Sequence, residues 1–481
     1  MNETSFRPQE LGIPDVDWQQ TPLSVRQAFQ VLHQRLGKIE EQVQLNSGNS
    51  SKPPSSDGLS HKREKSKRLP SGKKRGGQPG HQGHHRKRLP AQEVNEFRVY
   101  KPENCAHCGE HLSGADPQPY RWQVTELPPI QAIVIEHQVH QLSCGCCGQT
   151  TGGELPAEVA KSQFGERLTA LIGLLIGQYR LSKRQVSRIL HDMYGIHLSV
   201  GSVVNRQVEI AESLSAPVEE VSQHVKQAGN RNIDETGWRE GQARSYLWGV
   251  VTEQATLFHI IASRASEVAS GLLGTTEPGI TTSDRYSAYH FLRGERHQTC
   301  WAHLLRHFKR LTLRNAGSRL IGEMLILYTE YLLHRWRRVR DGTLSRADFL
   351  TQVPQHQHDI RHWLEQGAQL KHPKTATLCG GLLKHFEMLW TFTRHEGVEP
   401  TNNAVERALR HGVIWRKLCY GTDSQMGSRF AERILTVLAT CRQQGQSLLD
   451  FLYHCLVALR HGHDSPALLT NPALISGPTT P

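Results

Sequence analysis

Residues 46–90 cannot belong to a folded core, and this stretch constrains the chain more than any other feature. It contains no aromatic residue and only three leucines among many Ser, Gly, Pro, Lys and Arg residues. Such a composition buries too little apolar surface to offset the conformational entropy lost on folding, so we predict a disordered linker. The stretch also carries +10 of the formal net charge of +12, which indicates a polyanionic partner. We favour nucleic acid, bound without sequence preference by this linker, over an anionic membrane surface.

The rest of the chain is long enough for several domains. Its 481 residues suggest about three domains at roughly 100–200 residues each. The first residues are polar and acidic and have no apolar run of the kind that a secretory signal contains. The longest apolar stretch, 168–176, is too short to span a bilayer. We therefore expect a cytoplasmic protein without a membrane partner.

A heptad pattern precedes the linker and predicts a short coiled-coil helix over residues 18–45. The apolar residues are spaced by four and three in alternation: Val25, Phe29, Leu32, Leu36, Ile39 and Val43. Three heptads are marginal alone. The stripe therefore predicts either self-association or packing against the body of the same chain.

Two pairs of cysteines follow the linker, each in the pattern C-x2-C-G. Each pair can place two thiolates on a tetrahedral zinc ion, which predicts a zinc-binding domain over residues 91–160 that contains strands at 120–127 and 132–141. The predicted ligands of one structural Zn²⁺ are Cys105, Cys108, Cys144 and Cys147. Cys146, His107 or His111 as a ligand, and thiols without metal, remain alternatives.

Residues 161–225 read as helices with a turn near Gly195, an arrangement typical of a helix-turn-helix. As a DNA-binding element it would use Lys183, Arg184 and Arg188. The alternative is an ordinary helical hairpin on which these side chains form a solvated face.

Strand patterns then appear at 232–234, 245–251, 256–261, 280–283 and 298–301, with helices at 265–273 and from 302 onward. Strands in a meander that then alternate with helices indicate an α/β layer with a mixed sheet. Residues 317–397 return to long helices, with an apolar stripe at helical spacing formed by Leu320, Met324, Leu327 and Tyr331.

Three acids occupy positions where strands and a helix would expose them. Asp234 and Asp284 are predicted to end strands, and Glu406 to open a helix. Carboxylates that meet at the ends of strands are the hard oxygen ligands that Mg²⁺ prefers. The alternatives are turn or cap acids, with Asn403 and Glu406 forming a capping box.

Several motifs, taken together and in this order, resemble the insertion-sequence-66-type transposases, a DDE-transposase family with an RNase H-like core. They are residues 49–57, 76–84, the two cysteine pairs, Asp234-Glu-Thr-Gly-Trp238, Ser283-Asp-Arg-Tyr-Ser-Ala-Tyr289, Cys300-Trp-Ala-His303 with Arg306, Thr401 to Arg410, and Arg416-Lys417. Two positions depart from the family's pattern, since Leu305 stands where a basic residue is usual and no Gly follows Asp284.

The resemblance implies a DNA transposase that cuts transposon ends and joins them to target DNA. It implies that Asp234, Asp284 and Glu406 are catalytic and bind two Mg²⁺ ions. It also implies DNA phosphate contacts from His303, Arg306, Arg416 and Lys417. Expected partners are transposon-end and target DNA, further copies of the chain, and helper proteins of the same element, in a nucleoid-associated setting. The alternatives are a zinc-dependent DNA-binding regulator with an inactive core, and a structure-specific DNA nuclease.

The predicted fold class is α/β plus α. The predicted order is a coiled-coil helix (18–45), a disordered basic linker (46–90), a zinc-binding domain (91–160), a helical DNA-binding region (161–225), an RNase H-like core (226–316 and 398–460) interrupted by a helical insertion (317–397), and a disordered tail (461–481).

Overall fold

The computed structural model describes residues 12–50, 57, 88–156, 159, 162–274, 279–292 and 294–469. Most of the predicted linker and the last residues of the predicted tail, 470–481, lie outside these ranges. Across the described ranges, no helix combines the length and the apolar character that crossing a bilayer requires.

Two helices precede the linker, α1 (Asp15–Gln20) and α2 (Leu23–Val43). Helix α2 covers most of the predicted coiled-coil segment. Its heptad side chains are all exposed, from 40% at Phe29 to 79% at Val43. The alternative in which this stripe packs on the body of the protein is therefore wrong for the described residues, and self-association stays a prediction.

The region that holds the cysteine pairs contains little regular structure. It has a 3-10 turn at Ala91–Glu93 and an antiparallel pair of short strands, β1 (Gln141–Ser143) and β2 (Thr150–Gly152). The strands predicted over 120–127 and 132–141 are wrong, because only residue 141 of these ranges lies in a strand. Apolar side chains such as Trp122 (77%) and Ile133 (91%) stay exposed, since no described strand pairs with residues 120–127 or 132–140.

Four helices follow: α3 (Glu166–Gly177), α4 (Lys183–Tyr194), α5 (Val200–Ser213) and α6 (Ser215–Gln227). Ser182 and Gln185 form a capping box that starts α4. Gly195 ends the same helix in the left-handed conformation at φ 67°, which a residue without a side chain adopts at little cost. The predicted helices and the turn between them are thus confirmed.

The centre of the protein is a five-stranded mixed sheet, which confirms the α/β prediction. Its strands are β3 (Asn230–Glu240), β4 (Ala243–Val251), β5 (Thr256–Ile261), β6 (Ile280–Ser283) and β7 (His297–Thr299). They lie in the order β5-β4-β3-β6-β7. The first three form an antiparallel meander, whereas β3, β6 and β7 run parallel to one another. Helix α7 (Ser266–Leu273) connects β5 to β6, and 3-10 turns at Ser287–Tyr289 and Gly294–Arg296 connect β6 to β7.

Two strands differ from their predicted bounds, and the first difference changes the position of Asp234. Strand β3 continues to Glu240, so Asp234 lies within the strand and not at its end as predicted. The prediction stopped too early because Asp, Gly and Glu are unusual strand residues, and here pairing with β4 on one side overrides their low propensity. Strand β7 ends at Thr299, and the next helix already begins at Trp301.

The remaining helices form two groups along the chain. The first group comprises α8 (Trp301–Leu311), α9 (Ala316–Arg340), α10 (Arg346–Ala368), α11 (Pro373–Lys384), a 3-10 turn at Phe386–Leu389 and α12 (Thr391–Arg394); the second comprises α13 (Asn403–Cys419), α14 (Gln425–Gln444) and α15 (Leu448–His461). The first group has its own core, which includes Phe308, Leu325 and Phe349. Its two ends meet where the Trp301 N–H donates to the Pro400 carbonyl at 2.9 Å.

The helix predicted around Leu320 is confirmed, but its buried face is a different one. Leu320, Leu327 and Tyr331 are about half exposed, at 52%, 58% and 47%. The core side of α9 is formed instead by Ile321, Leu325, Leu332 and Trp336. Both stripes have helical spacing and lie one residue apart, so spacing alone cannot choose between them. At Gly322 a Cβ would lie 2.9 Å from the Phe308 carbonyl oxygen, so α8 approaches α9 closely next to Ile321 and Leu325.

A single hydrophobic core joins the helices of residues 161–225 to the sheet and the C-terminal helices. It contains, for example, Ile172 of α3, Phe258 of β5 and Leu452 of α15. The predicted domain boundary at 225–226 does not separate two cores, and the domain division stays a prediction. Of the tail predicted as disordered over 461–481, the structure describes residues 461–469, and these are ordered. Leu468 is fully buried, and its N–H donates to the Glu220 carboxylate.

Helix α14 covers the outer edge of the sheet with side-chain hydrogen bonds. Every second N–H of the edge strand β5 donates to a side chain of α14: Thr256 to Thr440 at 3.2 Å, Phe258 to Thr436 at 2.9 Å and Ile260 to Glu432 at 2.9 Å. The spacing of four residues places the three acceptors on one face of the helix. The helix thus satisfies backbone donors that an open sheet edge would leave for another chain.

We expect Thr436→Val to destabilise the protein by about 1–3 kcal/mol, because it preserves the shape of the side chain but leaves the buried Phe258 N–H without an acceptor. The matched control is Thr351→Val on the exposed side of α10, which should change the free energy of unfolding by less than about 0.5 kcal/mol. Urea unfolding monitored by circular dichroism measures both. Equal effects of the two substitutions would show that the edge contacts contribute nothing specific.

Candidate active site and metal centres

Asp234 lies in the middle of the sheet, on the face of β3 that is covered by α13. Its partner across the β3–β4 pair is Gly249, and a Cβ at Gly249 would lie 3.1 Å from Val405 of α13. Part of the residue reaches the surface, but its carboxyl group is enclosed. Burial is the largest cause that raises the pKa of Asp234 well above its ordinary value, followed by the negative charge of Asp284.

Asp284 directly follows β6, as predicted. One of its carboxylate oxygens accepts a hydrogen bond from the Tyr286 N–H at 2.8 Å, which fixes the turn that leaves the sheet. Burial raises the pKa of Asp284 to about 6, and the hydrogen bond from Tyr286 opposes this rise only in part.

Glu406 sits in the first turn of α13, and Asn402 fixes where that helix begins. The Asn402 side chain is fully buried and donates from Nδ2 to the Ile233 carbonyl of β3 at 2.8 Å. It forms no capping hydrogen bond with the helix. The capping box predicted as an alternative for Asn403 and Glu406 is therefore wrong. The start of α13 is tied to the strand that carries Asp234, which places Glu406 beside it.

The three acids are close enough to affect one another. The negative charges of Asp284 and Glu406 both contribute to the raised pKa of Asp234. Their carboxylate oxygens do not surround a common point, since no group of three His, Cys, Asp or Glu side chains in the described residues is arranged to hold an ion. The donor set nevertheless fits Mg²⁺, because it consists of carboxylate oxygens and because Oε1 of Glu406 is buried without a hydrogen-bond partner.

Two basic side chains of α8 face Glu406. His303 Nε2 and Arg306 Nη2 each lie 3.6 Å from a carboxylate oxygen of Glu406. Burial, together with the charge of Arg306, lowers the pKa of His303 to about 3, so the imidazole is neutral near pH 7. Arg306 therefore supplies the positive charge of this contact.

The other predicted DNA contacts do not meet at this point. Arg416 lies along β3 and donates to the Thr236 hydroxyl at 3.4 Å and to the Gly237 carbonyl, so its guanidinium is engaged within the fold. Lys417 is exposed one residue further along α13. Lys183, Arg184 and Arg188 are exposed on α4. The positions of these exposed groups agree with either a DNA contact or a solvated face.

The two cysteine pairs fold into matching turns. The Cys105 N–H donates to the Glu110 carbonyl at 2.8 Å, and the Cys144 N–H donates to the Gln149 carbonyl at 2.7 Å. The N–H groups of His107 and Cys108 lower the pKa of Cys105, and those of Cys147 and Cys146 lower the pKa of Cys144. Backbone donors that favour the thiolate are what a zinc ligand needs, so each turn fits the metal.

Sequence reasoning missed four residues that hold the acids in place. Asn402 joins α13 to β3, and the buried Glu235 accepts hydrogen bonds from Arg264 and Tyr289. Asn402, Glu235 and Tyr289 lie within the motifs quoted above, yet nothing in their spacing assigns them a role. Arg264 lies in a loop without any motif, and no sequence signal would have found it.

Comparisons with known proteins agree with the expected resemblance. The family model described as Transposase IS66 family matches residues 161–429, more than half of the chain. A model described as the zinc-finger binding domain of transposase IS66 matches residues 102–148, which include both cysteine pairs and support Zn²⁺. A family of unknown function matches residues 8–87.

A curated relative is the Uncharacterized protein y4qI of Sinorhizobium fredii, which is 29% identical over 197 residues. The similar stretch covers 38% of this chain and 36% of the relative. The chain therefore spans about a third of the length of the curated relative that it matches.

The pKa of Asp284 predicts how pH changes the stability of the protein in EDTA. Because this pKa is raised from 3.8 to about 6, the folded state favours the protonated acid, and stability is lost as pH rises through this interval. Buried histidines such as His303 act in the opposite direction, so the difference between variant and wild type is the useful quantity. Asp284→Asn should gain up to about 3 kcal/mol relative to wild type between pH 4 and pH 7.

Thermal unfolding across this pH range, with Asp464→Asn as an exposed control, measures the effect. If the difference in stability between Asp284→Asn and wild type were the same at all pH values, the assigned pKa would be wrong.

The cysteine turns predict a difference between two substitutions. Cys108→Ser should lower bound zinc from about one ion per chain and loosen residues 91–160, because a tetrahedral site needs all four ligands. Cys146→Ser should keep the zinc, since this thiol is the spare one. Metal analysis of the purified variants by mass spectrometry tests the assignment, and equal zinc loss in both would overturn it.

Proposed function

The chain belongs to the IS66 family of transposases, and on this premise we propose that it is a DNA transposase that cleaves transposon ends and joins their 3′-hydroxyls to target DNA. The observation that supports the proposal is the proximity of Asp234, Asp284 and Glu406: the charges of Asp284 and Glu406 raise the pKa of Asp234, and the charge of Glu406 raises the pKa of Asp284. Three mutually repelling carboxylates in an enclosed site destabilise a protein unless a cation offsets their charge.

The proposed fold of the catalytic part is RNase H-like, with residues 317–397, which contain the helices α9 to α12, as an insertion. The support for it is the mixed sheet, in which a meander is followed by parallel strands, together with the family match. In this proposal residues 226–316 and 398–460 form one catalytic core, while 161–225 bind DNA.

Asp234, Asp284 and Glu406 are the proposed ligands of two Mg²⁺ ions. When bound, these ions would activate the attacking water or 3′-hydroxyl and stabilise the leaving oxygen of an in-line displacement at phosphorus. The fold contributes the positions of the ligands: β3 is central in the sheet, β6 lies beside it, and Asn402 ties the start of α13 to β3.

Arg306 and His303 have a double role in this proposal. In the metal-free protein Arg306 partly offsets the charge of Glu406. With metal and DNA present, the same guanidinium and the neutral imidazole are close enough to the acids to contact the phosphate that reacts. Arg416, Lys417 and the basic side chains of α4 are proposed to bind the flanking DNA backbone.

The remaining parts serve DNA binding and assembly. One structural Zn²⁺ held by Cys105, Cys108, Cys144 and Cys147 would fix the region 91–160. The exposed heptad face of α2 is proposed to join copies of the chain in a homo-oligomer on DNA, because apolar residues at this spacing pair with a similar helix. Helper proteins of the same element, and a cytoplasmic, nucleoid-associated location, complete the proposal.

Replacing Asp234 or Asp284 by Asn, or Glu406 by Gln, should lower cleavage and joining by orders of magnitude while DNA binding is retained. Each change keeps the shape of the side chain but removes the charge that holds Mg²⁺. The control is Glu396→Gln, an exposed glutamate that precedes α13. Incubation of purified protein with candidate transposon-end DNA and Mg²⁺, followed by analysis of nicked and joined strands, measures all four.

Three outcomes would contradict parts of the proposal. Near-normal cutting by Glu406→Gln would remove Glu406 from the catalytic set. Tight binding of the ends by wild type without any cutting would favour the DNA-binding regulator with an inactive core. Cutting without joining would favour a structure-specific nuclease.

A further inference from the structure

A second buried carboxylate lies on the opposite face of β3 from Asp234. Successive side chains of a strand point to opposite faces, so Glu235 turns away from α13. Its partner in the β3–β4 register is Trp248, whose ring packs edge-on against Tyr289 with centroids 6.4 Å apart. The Glu235 side chain is only 2% exposed. It therefore needs partners of its own within the fold.

Both carboxylate oxygens of Glu235 have such partners. Oε1 accepts from Nε of Arg264 at 3.0 Å and from its Nη2, and Oε2 accepts from the Tyr289 hydroxyl at 2.5 Å. Arg264 offsets the charge, and its guanidinium lies 4.1 Å from the ring centroid of Tyr286. A carboxylate occupied in this way on the far face of the strand is not placed to be a metal ligand.

These contacts join the backbone on either side of the acid cluster. Glu235 directly follows Asp234 in β3, whereas Tyr286 and Tyr289 lie in the turn that begins with Asp284. The Tyr286 N–H also donates to the Asp284 carboxylate at 2.8 Å. The turn that carries Asp284 is thus held to the strand that carries Asp234 by one buried carboxylate, one hydroxyl and one guanidinium.

We propose that Glu235 is a positioning residue that acts through Tyr289 and Arg264 to hold Asp284 at a fixed place relative to Asp234. The proposal rests on the proposed function, because the purpose of this arrangement is to keep two carboxylates ready for Mg²⁺. Mutation of residues that hold metal ligands in position typically lowers metal affinity by about 10- to 100-fold.

Tyr289→Phe tests the proposal with the least disturbance, since it removes one hydroxyl and keeps the buried ring. Glu235→Gln removes the charge opposite Arg264 and should have the larger effect. The matched control is Glu209→Gln. It removes the charge of a partly buried ion pair with Arg460, and it lies in helix α5, which carries none of the three acids. All three variants should lose some thermal stability.

Two further measurements separate positioning from a merely structural role. In the metal-free protein, hydrogen–deuterium exchange of residues 284–289 should become faster in Tyr289→Phe and Glu235→Gln and stay unchanged in Glu209→Gln. The Mg²⁺ concentration that gives half of the metal-induced rise in melting temperature should increase about tenfold in the first two variants and stay unchanged in the control.

The outcomes are distinguishable. Unchanged exchange of residues 284–289 in both variants would overturn the proposal, whatever the metal does. Loss of all Mg²⁺ response in Glu235→Gln with a normal response in Tyr289→Phe would make Glu235 a ligand and also overturn it. A wild-type protein without any Mg²⁺ response would refute the proposed function, while the exchange experiment would still decide whether Glu235 holds the turn.

Discussion

The hydrogen bond from the Asn402 side chain to the Ile233 carbonyl is the contact on which the rest of the site depends. It joins two segments that are 169 positions apart in the chain, and it forms in a fully buried setting where a lost partner is costly. The Asn402 N–H donates to the Cys300 sulfur at 3.1 Å, so the same residue also reaches the start of α8. Strand β3 and the starts of α8 and α13 therefore meet at Asn402.

The site combines two kinds of buried charge with opposite consequences. Glu235 is fully provided with donors and fixes the structure around it. Asp234 and Asp284 each accept a hydrogen bond from a nearby backbone N–H, which offsets their burial only in part. Their raised pKa values express the free energy that this arrangement costs in the absence of a cation. A fold can keep such a cluster only if the surrounding contacts hold it rigidly, which is what Asn402 and Glu235 do from the two faces of β3.

The sequence predicted the order and type of most elements in the central and C-terminal parts, because their apolar spacing and turn residues agree with the final packing. It failed where the outcome depends on a partner distant in the chain. Strand β3 extends past Asp234 because β4 pairs with it, and α9 buries Ile321 and not Leu320 because α8 approaches at Gly322. Strands are predicted over 120–127 and 132–141, but no strand among the described residues pairs with residues 120–127 or 132–140. Of the candidate site, the acids could be named from motifs, whereas Asn402 and Arg264 could be found only from their contacts.

The hydrogen bond between the Trp301 N–H and the Pro400 carbonyl has a consequence for how such chains can change over evolutionary time. It brings the chain before α8 and the chain after α12 together at the edge of the sheet, so nearly a hundred residues leave and return at the same place. A segment whose ends are adjacent can lengthen, shorten or be replaced without shifting the elements that flank it, and this one has a core of its own. Related chains can therefore acquire different surfaces from this segment while the three carboxylates keep their places.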